Sequence, residues 1–327
     1  MSQQSYQHVD AALTVASVPA GNLKSLEMRW AKRVFVDAKK SRFTMGVDRS
    51  VVDATRGGRS FARAEGAAYP RVGRDSRTTV QGKTVEHSPA DDLDYSTRDR
   101  AQDPFQPEVI KARKVNKVAL LERYVEAVDL VTTTANWNAS CTVALAALGE
   151  GASGVQLSDA SSLPYVDLEI AARRCASLND GVRPHFVLMN EVAAGYILAK
   201  GGRTSIPVDK PVRELTLPEF EQHLSAHLLG MDVYVESARE AGTLLFPAVI
   251  VFGYYPTDVV PTEEGFDVAP STMVLVHEKI PSLGITGELV TKRIENAERT
   301  GLVIVASSSW VAQRVDDKAI FILTAVY

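Results

Sequence analysis

His223 and His227 stand four residues apart in a stretch whose apolar spacing predicts a helix, so both imidazoles fall on one face, as two metal ligands would. A zinc-protease helix also needs a glutamate directly after the first histidine; Leu224 stands there, and no third ligand is in view. A packed or surface pair is expected. Gly149-Glu150-Gly151-Ala152-Ser153-Gly154 spells the GxGxxG pattern. A dinucleotide cradle requires a strand before it, a helix opening inside it and an acid roughly 20 residues later. Here Ser140 to Leu148 is alanine-rich and reads more helical than extended, while Val155 to Leu163 reads as loop up to Pro164. A connector is expected. Cys141 has no bracketing signature of a nucleophile, and free cysteines commonly serve as small buried hydrophobes. Ser307-Ser308-Ser309 lacks the glycine-flanked elbow of a hydrolase, and no P-loop is present. No catalytic, cofactor-binding or metal site is therefore expected, no cofactor, and no enzymatic activity.

The most unusual stretch is residues 46–105, too long, polar and glycine-rich for an ordinary core. Val47, Val51, Val52, Phe61, Tyr69, Val72, Val80 and Val85 punctuate it, and 78–85 alternates as a half-exposed strand does. A two-legged β arm fits. Legs of about 20 residues at ~3.3 Å each reach on the order of 65 Å, against a radius of gyration of about 20 Å for a compact chain of this length. Such an arm must lie on something else, and a neighbouring copy is the natural support. From Arg42 to His87 the chain carries nine Arg or Lys against five Asp or Glu. Those acids are interleaved and aromatics are few, so a subunit-facing surface is expected in place of a nucleic-acid interface.

The 327 residues suffice for a large core and more than one subdomain. A net charge of −4 argues against whole-surface nucleic-acid binding, which needs a basic face. Two cysteines, Cys141 and Cys175, do not make a disulfide framework, so a reducing cytoplasmic origin is expected. Residues 1–8 show neither region of a signal peptide. The best apolar run, Thr243 to Tyr255, contains Pro247 and is short of the ~20 residues that span a bilayer. No membrane association is expected.

Along the chain, residues 30–44 predict a short apolar strand leading into the arm. Pro104 and Pro107 announce a helix from Glu108 to about Val131, with Val115, Val118, Leu121, Val125 and Val128 at spacings of three and four. Its charges oppose the helix macrodipole: Lys111, Arg113, Lys114 and Lys117 come first, Glu122, Glu126 and Asp129 last. Each half is expected to face opposite charge from elsewhere, and the acidic run Asp91 to Asp103 is the nearest source for the basic half. From residue 164 the chain reads α/β. Helices are expected at Pro164–Leu178, Glu191–Lys200 and Pro218–Leu229, and strands at His185–Met189, Asp232–Val235, Leu244–Phe252 and Met273–His277. Gly287–Asn296 is open between strand and frayed helix. Strands at Leu302–Ser307 and Ala319–Tyr327 close the chain.

This order of parts resembles a tailed-bacteriophage major capsid protein of the Hong Kong 97-type fold. The resemblance is carried by Ala31-Lys32-Arg33-Val34-Phe35-Val36 and Lys39-Lys40-Ser41-Arg42-Phe43 entering the loop, and by Tyr69-Pro70-Arg71-Val72 within it. Lys117 to Glu126, ending near Asn136-Trp137, is similar to the spine helix of such proteins. Asp167 to Ala172 and Arg183 to Met189 are similar to the helix and strand that open their axial domain.

The resemblance implies an α+β phage capsid-type fold. Residues 1–45 would be an N-terminal arm and 46–105 an extended β loop. Residues 106–163 would hold the long spine helix and part of a peripheral domain, 164–286 an α/β axial domain, and 287–327 the closing strands of the peripheral domain. It further implies a structural protein that self-assembles as pentamers and hexamers into an icosahedral virion head enclosing double-stranded DNA, assembled in the host cytoplasm. Scaffolding, portal and decoration proteins would be its further partners. No Lys/Asn pair is assignable to covalent cross-linking, and no long scaffold segment is expected within the chain. An encapsulin-like nanocompartment shell shares that fold and is the first alternative; an α/β nucleotide-binding enzyme using Gly149–Gly154 is the second.

Overall fold

A computed structural model describes residues 7–9, 29–38, 42–48, 77–96, 105–179, 181–200, 215–256, 259–261, 265–268, 273–278, 289–296 and 301–327. After a short strand β1 (Gln7–Val9), a single helical turn α1 (Ala31–Val34) precedes strands β2 (Phe35–Ala38) and β3 (Arg42–Asp48). One strand was expected over 30–44. The helical turn forms because Trp30, Ala31 and Val34, spaced one and four apart, bury one face completely. Strand β3 pairs antiparallel with β4 (Arg77–Lys83), from Arg42 opposite Lys83 to Asp48 opposite Arg77. These strands flank the stretch 49–76, over which the expected two-legged arm lies outside the described residues.

Residues 85–94 fall within the expected loop, yet β5 (Val85–His87) and β6 (Ala90–Asp94) pair with a long strand near the C-terminus, and Leu93 is buried. Helix α2 (Phe105–Thr132) follows, 28 residues or about 42 Å at 1.5 Å each. It serves two cores in succession. Ala112, Val115 and Ala119 pack with Leu93, Leu302, Ile304 and Ala306, whereas Tyr124, Ala127, Val128 and Val131 pack with Trp30, Val34, Phe186 and Ile320. Both sets follow the three-and-four spacing of a helical stripe.

Ser140 to Leu148 departs from its helical expectation. Two 3-10 turns flank a strand, β7 (Thr142–Ala144), which pairs parallel with the last strand of the chain. The Asn138 side chain accepts from the Ser140 N–H and caps the first of these turns, and from Thr142 the chain is drawn into the sheet by its pairing with Ile322 to Thr324. Helix α3 (Pro164–Leu178), strand β8 (Phe186–Asn190), helix α4 (Glu191–Lys200), helix α5 (Leu217–His227) and strand β9 (Asp232–Glu236) lie at or within a residue or two of expectation. The single strand expected over 244–252 is divided. A hairpin, β10 (Arg239–Glu240) with β11 (Thr243–Leu244), turns at Ala241 and Gly242, both at positive φ as a tight two-residue turn requires. Pro247 then interrupts, since proline donates nothing to a sheet, and β12 (Ile250–Gly253) resumes.

Strands β13 (Val260–Pro261) and β14 (Gly265–Val268) join β3 and β4 in a four-stranded sheet, with β14 parallel to β3. Strand β15 (Met273–Glu278) lies parallel to β2. The open choice at 287–296 resolves as strand β16 (Val290–Asn296), a hairpin partner of β17 (Gly301–Arg314). Strand β17 runs well past the expected Ser307 because Ser308 to Trp310 pair with β5 and Trp310 to Arg314 pair with β15. The last strand is β18 (Ile320–Thr324).

Two sheets dominate. A seven-stranded sheet is organised around β17 and carries the first half of α2; a five-stranded sheet has the order β7-β18-β12-β8-β9. The latter is buried on both faces, hence its unbroken apolar strands. Val187, Met189, Val233 and Val235 face the layer of α3, α4 and α5, while Phe186, Leu188 and Tyr234 face α2 and the Trp30 segment.

Candidate assembly surface

The structure places the residues singled out for chemistry in packed or hydrogen-bonded settings. The loop Gly149–Gly154 follows a 3-10 turn and precedes α3 by ten residues, and its Ser153 donates through N and Oγ to the buried carboxylate of Asp167, both at 2.6 Å. His223 and His227 share one face of α5, where the Tyr165 ring packs edge-on against both, 5.9 and 4.8 Å between centroids. Burial and the neighbouring His227 hold His223 below its ordinary pKa. Among the described residues no cluster of three His, Cys, Asp or Glu side chains suits a metal. A nucleophilic cysteine needs an accessible thiolate. Burial instead raises the Cys141 thiol, and lifts Cys175 to about 12. Ser307 is a sheet residue whose Oγ meets Ser88 Oγ at 2.8 Å and Glu86 Oε1 at 3.1 Å.

The distinctive features are instead arranged for contact. Part of the inverted charge of α2 finds opposite charge from other segments. Asp91, on β6, accepts from Lys111 Nζ at 3.0 Å and Lys114 Nζ at 2.8 Å. Burial opposes ionisation of Asp91, and the two lysines outweigh it, so its pKa is lowered. In the second half Glu122 meets His87 Nδ1 at 3.3 Å. Glu126 is held above the ordinary carboxylate range, first by burial and then by Glu122 and Asp129 on either side.

That acidic half lines a cleft of about 710 Å³ between α2, the β5–β6 turn and the tip of the β10–β11 hairpin. Glu86, Glu122, Glu126, Asp129 and Glu240 surround it, over a floor that includes Val118, Leu121 and Val125. Concentrated like charge over an apolar floor suits a cationic, partly apolar segment. Elsewhere Leu163, Val166, Val182, Leu217 and Leu229 leave large apolar side chains in water on the helical side of the five-stranded sheet, Leu229 at 71% exposure.

Sequence reasoning missed two charge networks. Glu108, in the first turn of α2, is 1% exposed and takes Arg293 Nη2 on both oxygens at 2.6 Å, tying the helix to β16. Glu236 is 6% exposed and accepts from the Tyr124 hydroxyl at 2.9 Å. A signal for the second was present in Asp232-Val233-Tyr234-Val235-Glu236, whose strict alternation puts three polar side chains on one face of a strand.

No protein-family model matches the chain, and no curated protein does. Solved structures do. A phage-related protein from Bordetella bronchiseptica RB50 superposes with a TM-score of 0.61 at 15% identity, covering 98% of each chain. The capsid of a native GTA particle matches with a TM-score of 0.50 at 14% identity, over 94% of this chain and 92% of that one. A virus-like particle from Pyrococcus furiosus gives a TM-score of 0.50 at 11% identity, over 95% of this chain and 97% of that one. The likeness is one of fold. It extends over nearly the whole chain, and the fold is the Hong Kong 97-type capsid fold.

Proposed function

We propose that this chain is the structural subunit of an icosahedral virion head, assembling with itself as pentamers and hexamers around double-stranded DNA, with no enzymatic activity. The single observation that carries this reading is the end-to-end fold likeness to a phage-related protein, a particle capsid and a virus-like particle. The antiparallel pairing of β3 with β4 supports it, because these strands flank residues 49–76, which hold six arginines against three acids. In this reading the arm of one copy lies across the next, and its arginines supply the positive charge that the cleft on α2 lacks. Scaffolding, portal and decoration proteins are its further partners, and the shell is built in the host cytoplasm. The division proposed is an N-terminal arm (1–45), an extended loop re-anchored to the body by 85–94 (46–105), the spine helix with part of a peripheral domain (106–163), an axial domain (164–286) and closing peripheral strands (287–327).

Negative-stain microscopy of the purified protein tests the reading: uniform closed shells are expected. A sharp monomer peak in light scattering across protein concentration and salt, with neither particles nor capsomers, would refute it. A compartment shell holding protein cargo is the second reading, favoured by the fold likeness to a virus-like particle. Nuclease-protected double-stranded DNA inside particles from the producing cells separates the two.

A further inference from the structure

We infer that residues 29–34 form a pH-sensitive latch, clamping helix α2 to the five-stranded sheet with Glu236 as its titrating group. This goes beyond the shell reading and does not depend on it. The three polar residues on one face of β9 each meet a different part of the clamp. Asp232 takes Arg33, the Tyr234 ring lies 5.8 Å under the Arg29 guanidinium, and Glu236 takes the Tyr124 hydroxyl from α2. Between these contacts Trp30, Ala31 and Val34 are fully buried among residues of α2, β8 and β18.

The charges do not balance at Glu236. Arg29 spends both terminal nitrogens on Glu221 of α5, at 3.0 and 2.5 Å, and Glu221 also receives the Val235 N–H at 3.1 Å. Glu236 is left with the neutral Tyr124 hydroxyl. The Trp30 indole N–H is near enough to favour the anion, yet it completes no hydrogen bond. The groups facing Glu236 are therefore Tyr124 from α2, Arg29 and Trp30 from the latch, and Glu221 from α5, of which Glu221 repels a second anion. Burial is the main cause and Glu221 adds to it, so the carboxyl is pushed up to about 7. Tyr124, Tyr234 and Tyr255 are all raised by burial and stay neutral across this range.

The sign follows from the raised value. The proton on Glu236 stabilises the closed latch fully below the ordinary glutamate range, and that contribution is lost as pH rises through about 7. Above it an anion sits in a largely apolar junction with one neutral hydrogen-bond donor, attracted by Arg29 and repelled by Glu221, and burial outweighs the attraction. Opening the latch from α2 and β9 hydrates that anion, against the hold of the Arg29–Glu221 and Arg33–Asp232 pairs, of which the second is the more exposed and weaker.

Amide hydrogen exchange of residues 29–38 in the full-length chain tests this, with protection factors corrected for the intrinsic pH dependence of exchange. Wild type is expected to lose about tenfold in protection between pH 6 and pH 8, most of it below the titration point, where the closed latch holds a proton that the open one has lost, with a plateau above. Glu236→Gln is expected to hold protection constant, since the amide keeps an acceptor for Tyr124 without titrating. Tyr124→Phe removes the one direct donor to the anion and is expected to move the transition to higher pH. Constant wild-type protection, an undiminished fall in Glu236→Gln, or an unmoved transition in Tyr124→Phe would each overturn the inference.

Discussion

Gly253 sits in the centre of the five-stranded sheet, directly between Phe186 of β8 and Ile320 of β18. A Cβ added there would stand 2.4 Å from Phe186 Cζ and 2.8 Å from Ile320 Cδ1. Neither neighbour can yield. Both are fully buried, and the Phe186 ring is held by Trp30 at 6.2 Å and Tyr255 at 5.0 Å between centroids. Overpacking a core by one methyl group costs about 1–3 kcal/mol, and a site fixed on both sides belongs at the upper end, so Gly253→Ala is expected to lose about 3 kcal/mol. Phe186→Leu frees the space and on its own is expected to cost about 1–2 kcal/mol through lost burial. If the collision is the cause, the double variant is less damaged than the sum of the two by at least ~1 kcal/mol. Urea unfolding followed by circular dichroism and tryptophan fluorescence gives all three values. A loss under about 0.5 kcal/mol for Gly253→Ala, or strict additivity in the double variant, would refute the packing described between these strands.

Asp91→Asn should cost about 1 kcal/mol, because Asp91 is largely buried while Lys114 is mostly exposed, and the loss should shrink at high salt. The Asp91 contribution is present above the ordinary aspartate range and fades as pH falls through its lowered value, so wild type and variant should converge in acid; a gap that persists in acid would contradict the pairing. Replacing residues 49–76 by a short turn between Asp48 and Arg77 should preserve the circular dichroism spectrum and abolish shells. Extending the deletion to residue 90 should unfold the chain, since it removes β5 and the hydrogen bond from Ala306 N–H to Pro89 O. Neither Cys141 nor Cys175 should react with a thiol reagent at pH 8 until the chain is denatured, as both are buried with raised pKa values; rapid labelling of the native protein would contradict this.

Helix α2 and helix α3 were legible from residue types alone. Apolar residues at spacings of three and four define a face whatever lies against it, and Pro164 marks a helical start through its own ring. Strands β8 and β9 were legible for the same reason, as short apolar or alternating runs between turn residues. The charge order of α2 likewise demanded partners, and the nearest acidic run supplies one in Asp91. Other features depend on partners far away in the chain. The extension of β17 through Ser308 to Trp310 is decided by β5, more than two hundred residues earlier, because sheet hydrogen bonds join backbones and ignore local hydrophobicity. Val85 to Asp94 looked like arm and is sheet for the same reason. Only the tertiary structure places Glu236 against Tyr124 with its nearest cation committed to Glu221, since the environment that shifts a carboxyl is assembled from four segments that meet only when the chain folds.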